Sequence, residues 1–503
     1  MMTLGVQPGW DRPTSPFPHT WEGTVNVDQY RWLVRHDMLG QLSRIKRELG
    51  ARHVRAVGMF DDEMRVFCPS PETFGAAEPR PPRTNWQILD YIWDELLGRG
   101  LSPMITTSFI PSRMAGGPTT VFTTQGRTSP PRDYREWGAL VGECTRHAVD
   151  RYGLDIVRGW YFEVWNEPNL QGWFWGADQG EFMKLWAATY RAIKDVDARL
   201  RVGGPSTARA EWLADFVEYG RRHNCPADYL ALHIYNNDGE AVALAPFAGP
   251  QEDQASTSPN LAAGVIRGAR RLADELGFTG EIHFNEWGRS WRPVEPDRES
   301  ASEAAFIVRT MADVSQAADQ FAYWCVSDIY DQVGYGREPF HGNYGLLSLH
   351  GLRKPAYHAF DLLHRLGTQR VDVRGAGLDS FHGAIVTRSE SSAEILVYAY
   401  RHEPQAAPLP VRVTVELPAG TAALPTLYRV DSRENNAVTR WRELGAPVYL
   451  HPREYAALAS VDALAACPGA VTVTASGSAR TATFLMESPG IAFLTVSLTA
   501  GAP

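Results

Sequence analysis

Residues 160–169 read Trp-Tyr-Phe-Glu-Val-Trp-Asn-Glu-Pro-Asn. The first six are mostly apolar, aromatic or β-branched, which is typical of a buried strand. The strand pattern stops at a carboxylate, Glu167, followed by proline. A second short apolar run, Ile282–Trp287 (IHFNEW), also carries a glutamate near its end, Glu286. Buried strands that finish in carboxylates are typical of barrels of parallel strands, in which the carboxyl ends of the strands face the functional mouth.

Short apolar runs alternate with amphipathic helices on both sides of this stretch. The predicted strands are His19–Val25, His53–Met59, Pro103–Phe109, Gly159–Trp165, Arg201–Gly204, Tyr229–Tyr235, Glu281–Glu286 and Gln320–Ser327. Apolar residues recur at three- and four-residue spacing in the predicted helices Met38–Leu49, Trp86–Leu97, Tyr134–Tyr152, Gly180–Val196, Glu211–His223, Leu261–Leu276 and Ser302–Ala317. This alternation predicts an α/β fold, a (β/α)8 TIM barrel. No GxGxxG follows the first strand to favour a dinucleotide-binding sheet.

After about residue 366 the pattern changes to short alternating strands separated by Gly, Pro and Ser clusters. It predicts an antiparallel β-sandwich interrupted by a helix near Pro452–Ala466. We therefore expect an N-terminal segment at 1–14 that packs on the sandwich, a catalytic barrel at 15–365 and an accessory sandwich at 366–503. Long loops are predicted on the functional face of the barrel at Ile110–Arg132, Asn236–Pro259, Gly288–Ser300 and Asp331–Gly345.

Composition narrows the class of protein. The net charge is −9 and no basic run is present, so nucleic acid is not an expected partner. Five scattered cysteines without a CxxC pair are expected to be reduced thiols. No apolar leader and no run of 18 apolar residues is found, which favours a cytoplasmic protein that does not enter membranes. The 16 tryptophans suit a carbohydrate ligand, because aromatic faces pack against the C–H faces of sugars.

Two glutamates, at the ends of predicted strands four and seven, would face each other across the barrel mouth. Cleavage of a glycosidic bond needs a proton for the leaving oxygen and a carboxylate for the oxocarbenium-like centre. Carboxyls about 5–5.5 Å apart give retention through a covalent intermediate. Asn166 is placed to hydrogen-bond a sugar 2-hydroxyl, and burial beside Trp165 would raise the pKa of Glu167. No metal-ligand spacing accompanies the pair, so neither a metal nor another cofactor is expected.

The chain resembles glycoside hydrolase family 39, the β-xylosidase and α-L-iduronidase family, over nearly its whole length. Besides residues 160–170, the resemblance lies in VGGP (202–205), HIY (233–235), NEW (285–287), YWCVSDI (323–329), PFHGNYGLL (339–347) and KPAYHAF (354–360). It implies that Glu167 is the general acid/base and Glu286 the nucleophile of a retaining glycosidase. An exo-acting β-xylosidase with a glycoside substrate is the activity that it favours.

Further substrate contacts follow from the same resemblance. Arg55, on the second strand, is similar to an arginine near the nucleophile, and its charge would keep Glu286 ionised. His233 and Tyr235 lie two residues apart, so both point to one side of the sixth strand. They resemble a pair that lines the sugar site, in which Tyr235 donates to Glu286.

Three tryptophans are predicted to bind sugar rings. Trp324, on the eighth predicted strand, resembles the platform beneath the sugar ring. Trp173 and Trp175, in QGWFWG after the acid/base, are predicted platforms for the aglycone.

The chain departs from the family at three places near the non-reducing-end subsite. An R-x-H-G run is replaced by Arg55-Ala56-Val57-Gly58, so a polar contact becomes apolar. An aromatic followed by two glutamates is replaced by Tyr330-Asp331-Gln332, which makes Tyr330 and Gln332 the predicted sugar contacts. The first βα loop, predicted at Gly23–Gln29 (GTVNVDQ), also differs. Such changes redirect specificity, because a site built for one hydroxyl rejects sugars that lack it.

Several alternatives stay open at this point. The same chemistry could act on an arabinoside, a galactoside or a uronide, and the long loops could form either a closed pocket or an open endo-acting cleft. A non-catalytic carbohydrate-binding protein is a more distant alternative, as is a lectin role for the sandwich. The sequence also leaves a homo-oligomer open.

Overall fold

A computed structural model describes residues 1–68, 83–239, 244, 258–477 and 479–499 of the chain. The chain forms two compact units. One contains Trp21–Trp291 and Ala317–Tyr335, and the other contains Met1–Thr20, Arg292–Gln316 and Gly336–Pro503. The domain limits expected at residues 14 and 365 stay predictions. Within the described ranges, no helix is long and apolar enough to cross a membrane.

The first unit is built on an eight-stranded sheet in which all neighbouring strands are parallel. The strands are β1 (Thr24–Gln29), β2 (His53–Val57), β3 (Ser102–Thr106), β4 (Tyr161–Glu163), β5 (Arg201–Thr207), β6 (Tyr229–Tyr235), β7 (Glu281–Gly288) and β8 (Gln320–Tyr323). Strands adjacent in sequence are adjacent in the sheet. The N–H of Val326, just beyond β8, donates to the carbonyl of Asn26 on β1 at 2.9 Å. The predicted (β/α)8 barrel is confirmed.

A helix follows each strand along the chain. The helices are α1 (His36–Leu49), α2 (Gln87–Gly98), α3 (Tyr134–Tyr152), α4 (Gln179–Lys194), α5 (Leu213–Arg222), α6 (Leu261–Glu275), α7 (Ala301–Val314) and α8 (Pro355–His364). The side chains of Asp133 and Asp178 cap α3 and α4 by accepting from backbone N–H groups of the first turn. The first seven helices were predicted from their spacing. The eighth, α8, begins with a proline, which suits the first helical position.

The first strand was predicted at His19–Val25, which is four to five residues too early. Residues Thr20–Glu22 form a short 3-10 helix, and β1 runs through GTVNVDQ, the stretch expected to be a loop. The polar residues of β1 point into the barrel and are buried by long-range hydrogen bonds. Thr24 donates to the side chain of Gln320 at 2.7 Å, and the Asn26 amide donates to the carbonyl of Asn285 at 2.9 Å. A polar strand interior of this kind looks like a loop in sequence.

An aromatic layer fills the barrel interior between β4, β6 and β7. The rings of Tyr161 and Tyr229 meet edge to face at 5.1 Å, and His283 stacks on Tyr229 at 4.7 Å. A Cβ atom at Gly203 on β5 would lie 2.4 Å from the Tyr229 ring, so this position admits only glycine without rearrangement. This layer fills the inside of the barrel, and polar side chains nearer the carboxyl ends of the strands pack on top of it.

The second unit contains two sheets that share one apolar core, as expected of a β-sandwich. The five-stranded sheet has the order Val373–Arg374, Met2–Pro8, Leu409–Leu417, Ala479–Ser488 and Thr472–Ser476. The six-stranded sheet has the order Ser15–Pro16, Gln369–Val371, His382–Arg388, Ser392–Ala399, Gly490–Ser497 and Thr426–Val430. This unit also contains α7 and α8 and two short helices, Ala437–Glu443 and Pro452–Ala459. The strand Met2–Pro8 was missed, and it pairs in parallel with Leu409–Leu417.

Candidate active site

Glu167 and Glu286 lie at the carboxyl ends of β4 and β7. Strand β4 ends at Glu163, and a turn with left-handed backbone carries the chain onward, with φ of 71° at Trp165 and 48° at Glu167. The Glu167 N–H donates to the carbonyl of Ser206 at 2.8 Å and holds the turn beside β5. Left-handed backbone is costly for residues other than glycine and is concentrated at functional sites. The position of Glu167 is therefore set by the left-handed backbone of this turn, because the strand itself has already ended at Glu163.

The two glutamates meet at His233 of β6. One carboxylate oxygen of each glutamate and one ring nitrogen of His233 lie within 4.8 Å of one another. The His233 Nδ1 atom is 3.0 Å from Glu167 Oε1 and 3.5 Å from Glu286 Oε2. Both glutamates are 7% exposed and His233 is fully buried. The structure thus brings together these three residues predicted from sequence.

Arg55 of β2 is a fully buried cation beside this group. Its Nε and Nη2 atoms donate to the two carboxylate oxygens of Glu163, at 2.7 and 3.2 Å. Its Nη1 atom donates to Glu286 Oε2 and to the side-chain oxygen of Asn26, both at 3.2 Å. The predicted contact of Arg55 with Glu286 is therefore present, but the guanidinium is held mainly by a bidentate pair with Glu163.

Arg55 also orients two neighbouring side chains. Its Nη2 atom donates to Asn166 Oδ1 at 2.7 Å, which leaves the Asn166 amide NH₂ as the group that can donate to a substrate hydroxyl. The same Nη2 atom lies 3.4 Å from His233 Nε2. Because a guanidinium only donates, this ring nitrogen accepts, and the proton of a neutral imidazole then sits on Nδ1. His233 therefore donates its Nδ1–H to Glu167. A metal ion would need the lone pair of this nitrogen, which the proton occupies.

Glu286 accepts a hydrogen bond on each carboxylate oxygen. The hydroxyl of Tyr235 donates to Oε1 at 2.8 Å, as predicted, and Arg55 donates to Oε2. Both bonds favour the ionised carboxylate, whereas Glu167 accepts from the neutral ring of His233. This difference in partners makes Glu286 the carboxyl that loses its proton first.

Burial dominates the proton affinities of the site. It raises the pKa of Glu167 to about 7, against the opposing charges of Arg55 and Arg209. It also raises the pKa of Glu286, where His233, Arg55 and the Tyr235 hydroxyl oppose the increase. Burial lowers the pKa of His233 to about 4, so this ring is neutral at neutral pH. The site therefore holds one carboxyl, Glu167, that keeps its proton until the pH approaches about 7, beside one, Glu286, whose ionised form accepts two hydrogen bonds.

The departures from the family gather at one corner of the barrel. Tyr330 donates to Gln332 Oε1 at 2.8 Å, and Gln332 Nε2 donates to Asp28 Oδ1 at 2.7 Å. Asp28 is buried on β1, and burial raises its pKa to about 6. Trp324 is 5% exposed, and its backbone N–H donates to the backbone carbonyl of Trp287 at 3.0 Å. The structure ties Tyr330 and Gln332 to β1 through Asp28, a residue that the sequence did not single out.

One of the two aglycone platforms predicted in the loop after Glu167 is wrong. Trp175 has no exposed surface, its indole N–H donates to the carbonyl of Asp178 at 3.0 Å, and its ring packs edge to face on Trp165. It is part of the loop's packing and has no face to offer a sugar. Trp173 is half exposed, and it keeps the capacity to stack.

Some residues around the site were missed by sequence reasoning. They are Asn26, Asp28, Glu163 and Asn285, and the exposed Trp291 was also not singled out. Trp291, on the loop after β7, is 47% exposed and is held to Asn237 by its backbone N–H at 3.0 Å and its indole N–H at 3.2 Å. An aromatic residue in a polar loop was its available signal. The long loop predicted at Asn236–Pro259 lies largely outside the described residues.

Comparisons with known proteins match nearly the whole chain. The family model for Glycosyl hydrolases family 39 matches residues 6–478. A β-xylosidase of Caldicellulosiruptor saccharolyticus is 32% identical over 434 residues, which cover 86% of each protein. A monomeric β-xylosidase of Caulobacter crescentus has a similar structure, with a TM-score of 0.82 and 26% identity over 99% of this chain and 100% of that one. The GH39 enzyme of Xanthomonas axonopodis pv. citri gives the same TM-score at 28% identity, over 99% of this chain and 97% of that one.

Proposed function

Because this chain belongs to glycoside hydrolase family 39, and is therefore a glycosidase, we propose that it is an exo-acting β-xylosidase that retains anomeric configuration. The observation that carries the proposal is the spacing of Glu167 and Glu286, whose facing oxygens lie within 4.8 Å. Carboxyls about 5–5.5 Å apart suit a covalent glycosyl-enzyme, whereas inverting enzymes need about 6.5–9.5 Å to admit a water. The β-xylosidase relatives support xylose as the sugar that is released.

The first step forms a bond between a Glu286 oxygen and the anomeric carbon of xylose. The glycosidic bond breaks as Glu167 passes its proton to the leaving oxygen, and a xylosyl ester of Glu286 results. The N–H of His233 fixes one oxygen of Glu167, so the other oxygen carries the proton towards the substrate. The Asn166 amide is oriented to hold the 2-hydroxyl as charge develops at the anomeric carbon.

The second step releases the sugar. Glu167, now a carboxylate, takes a proton from a water molecule, and the water oxygen attacks the anomeric carbon. The ester bond to Glu286 breaks and its electrons return to the carboxylate, which Tyr235 and Arg55 again stabilise. Two displacements at one carbon leave the product with the configuration of the substrate.

The proposed roles predict a bell-shaped dependence of kcat/KM on pH. Activity rises as Glu286 ionises and falls as Glu167 loses its proton, so the alkaline limb is expected near the Glu167 pKa of about 7. Initial rates with 4-nitrophenyl β-xyloside measured across the pH range would test this expectation. A kcat/KM that stays flat well into the alkaline range, with the protein folded, would contradict the acid role.

The identity of the sugar is tested with aryl glycosides that share one leaving group. The xyloside is expected to give the highest kcat/KM, by about tenfold or more over the arabinoside, galactoside, glucoside and glucuronide. Near β1 and β8, Arg31 is already paired with Asp331, which favours an uncharged sugar over a uronide. A glucuronide or arabinoside that exceeds the xyloside would replace xylose and leave the proposed chemistry intact.

A further inference from the structure

Glu163, the last residue of β4, is a third carboxylate in the site and takes no part in the two steps above. It is fully buried, four residues before the acid/base. Its carboxylate accepts from Arg55 Nε at 2.7 Å and from Arg55 Nη2 at 3.2 Å. It also accepts from the hydroxyl of Thr106 on β3 and from the amide of Asn285 on β7. Side chains of three other strands therefore converge on Glu163.

These donors keep Glu163 ionised. Burial alone would raise its pKa, but the charge and hydrogen bonds of Arg55, with lesser help from His233 and Thr106, outweigh burial, and the pKa is lowered. An isolated buried cation or anion would be strongly unfavourable, so each member of the pair requires the other. Glu163 is thus a permanent negative charge beneath two carboxyls whose proton balance determines catalysis.

The charge of Glu163 acts on the reacting carboxyls in two ways. It raises the pKa of Glu167 directly, in opposition to Arg55. It also occupies two N–H edges of Arg55, so that Nη1 alone donates to Glu286. Without Glu163, the unpaired guanidinium would stabilise the Glu286 carboxylate more strongly and make it a weaker nucleophile.

We propose that Glu163 is a positioning residue that sets the pH range of this enzyme. It holds the Arg55 guanidinium beside the nucleophile and partly neutralises the positive charge of Arg55. The inference rests on the proposed roles of Glu167 and Glu286. The charged or titratable groups that Glu163 faces are Arg55 from β2, Glu167 from the turn after β4, His233 and Tyr229 from β6, and Glu286 from β7 through Arg55.

The test replaces Glu163 by glutamine, which keeps the shape of the side chain and removes its charge. Glu163→Gln is expected to move both limbs of the kcat/KM profile for 4-nitrophenyl β-xyloside to lower pH, by about 0.5–1 unit. We also expect kcat at the optimum to fall by about tenfold or more, because the nucleophile becomes less basic. Circular dichroism and thermal unfolding of the same samples establish that the variant is folded.

The matched control is Glu281→Gln. Glu281 lies at the opposite end of β7, accepts from the Tyr161 hydroxyl and from His283 at 2.7 Å each, and touches neither catalytic glutamate. Both limbs of the kcat/KM profile of Glu281→Gln are expected to stay within about 0.2 pH unit of those of the parent, because Glu281 lies too far from the two glutamates to shift their pKa values. A folded Glu163→Gln whose limbs match those of Glu281→Gln would overturn the proposal, even if its kcat were low.

A milder variant decides the question if Glu163→Gln does not fold. Thr106→Val keeps the carboxylate and removes the hydroxyl that donates to it. Loss of this donor leaves the charge of Glu163 less offset, so both limbs are expected to move to higher pH by a few tenths of a unit, roughly 0.3. Unmoved limbs in folded Thr106→Val would refute the role. Failure of the proposed function is distinguishable, because it would show as near-native turnover by Glu286→Ala, which no Glu163 result can produce.

Discussion

Glu286→Ala is expected to lower kcat for 4-nitrophenyl β-xyloside by about 10⁴-fold or more. The substitution removes the oxygen that would bond to the anomeric carbon, and neither of the described side chains that hydrogen-bond to Glu286 can replace it. Glu167 is held by His233 at 3.0 Å and serves the leaving group, while Arg55 and Tyr235 only donate hydrogen bonds. Steady-state rates with an activated substrate measure the loss.

Added azide is expected to restore turnover in Glu286→Ala. The anion fits the space vacated by the carboxylate, beside the positive charge of Arg55, and attacks the anomeric carbon from the face that Glu286 used. One displacement in place of two gives a xylosyl azide of inverted configuration, which NMR of the product identifies. A rescued product of retained configuration would place the nucleophile elsewhere.

The control for this loss lies on the same strand. Glu281→Ala removes a carboxylate from the opposite end of β7, and its kcat is expected to stay within about threefold of the parent, as for a substitution outside the site. Near-native activity of Glu286→Ala itself would refute the nucleophile assignment, whatever the behaviour of Glu281→Ala.

The fold was predictable wherever burial left a regular pattern. Strands β6 and β7 are buried almost throughout, as strands covered on both sides are, and their limits were predicted to within two residues. Strand β1 was misplaced because Thr24, Asn26 and Asp28 are buried through hydrogen bonds to distant residues. The residues next to Thr24, Asn26 and Asp28 in sequence do not show that these distant partners exist.

The same reason divides the candidate site into predicted and missed parts. Glu167 and Glu286 could be predicted because each interrupts or ends an apolar strand, where a carboxylate needs a function or a partner. Glu163 also ends a strand, but its partner Arg55 lies 108 residues away in sequence, and only the closed barrel shows that the two form a pair. Trp175 was assigned wrongly because the loop sequence QGWFWG does not show which of its tryptophan rings is buried and which is exposed.

The Arg55–Glu163 pair changes how the departures from the family are understood. Arg55 was expected to keep Glu286 ionised, and in the structure it joins Glu163, Asn166 and Glu286 in one buried network. Val57, where the family has a polar residue, lies two residues farther along β2 and is buried. The Arg55 network joins side chains of β1, β2, β4 and β7, whereas the hydrogen bonds of the corner join Asp28 to Gln332 and Gln332 to Tyr330. We therefore expect substitutions at Tyr330 or Gln332 to change sugar specificity more than the proton affinities of the two glutamates.

Glu167→Ala is expected to divide substrates by their leaving groups. For methyl β-xyloside or xylobiose, which need a proton on the leaving oxygen, kcat/KM should fall by on the order of 10³–10⁴. For 2,4-dinitrophenyl β-xyloside, whose leaving group departs as a stable anion, the fall in kcat/KM should be less than about tenfold. The alkaline limb near pH 7 should also vanish, because the group that titrates there has been removed.

Azide should act on Glu167→Ala in the opposite stereochemical sense to Glu286→Ala. The xylosyl ester of Glu286 still forms from the activated substrate, and azide enters from the face that Glu167 vacated, so the xylosyl azide keeps the configuration of the substrate. Glu181→Ala, on the first turn of α4, removes a surface carboxylate that pairs with Lys184 and should change neither substrate class. Equal losses on methyl and dinitrophenyl xylosides would contradict the acid role, since a missing proton cannot slow a leaving group that does not need one.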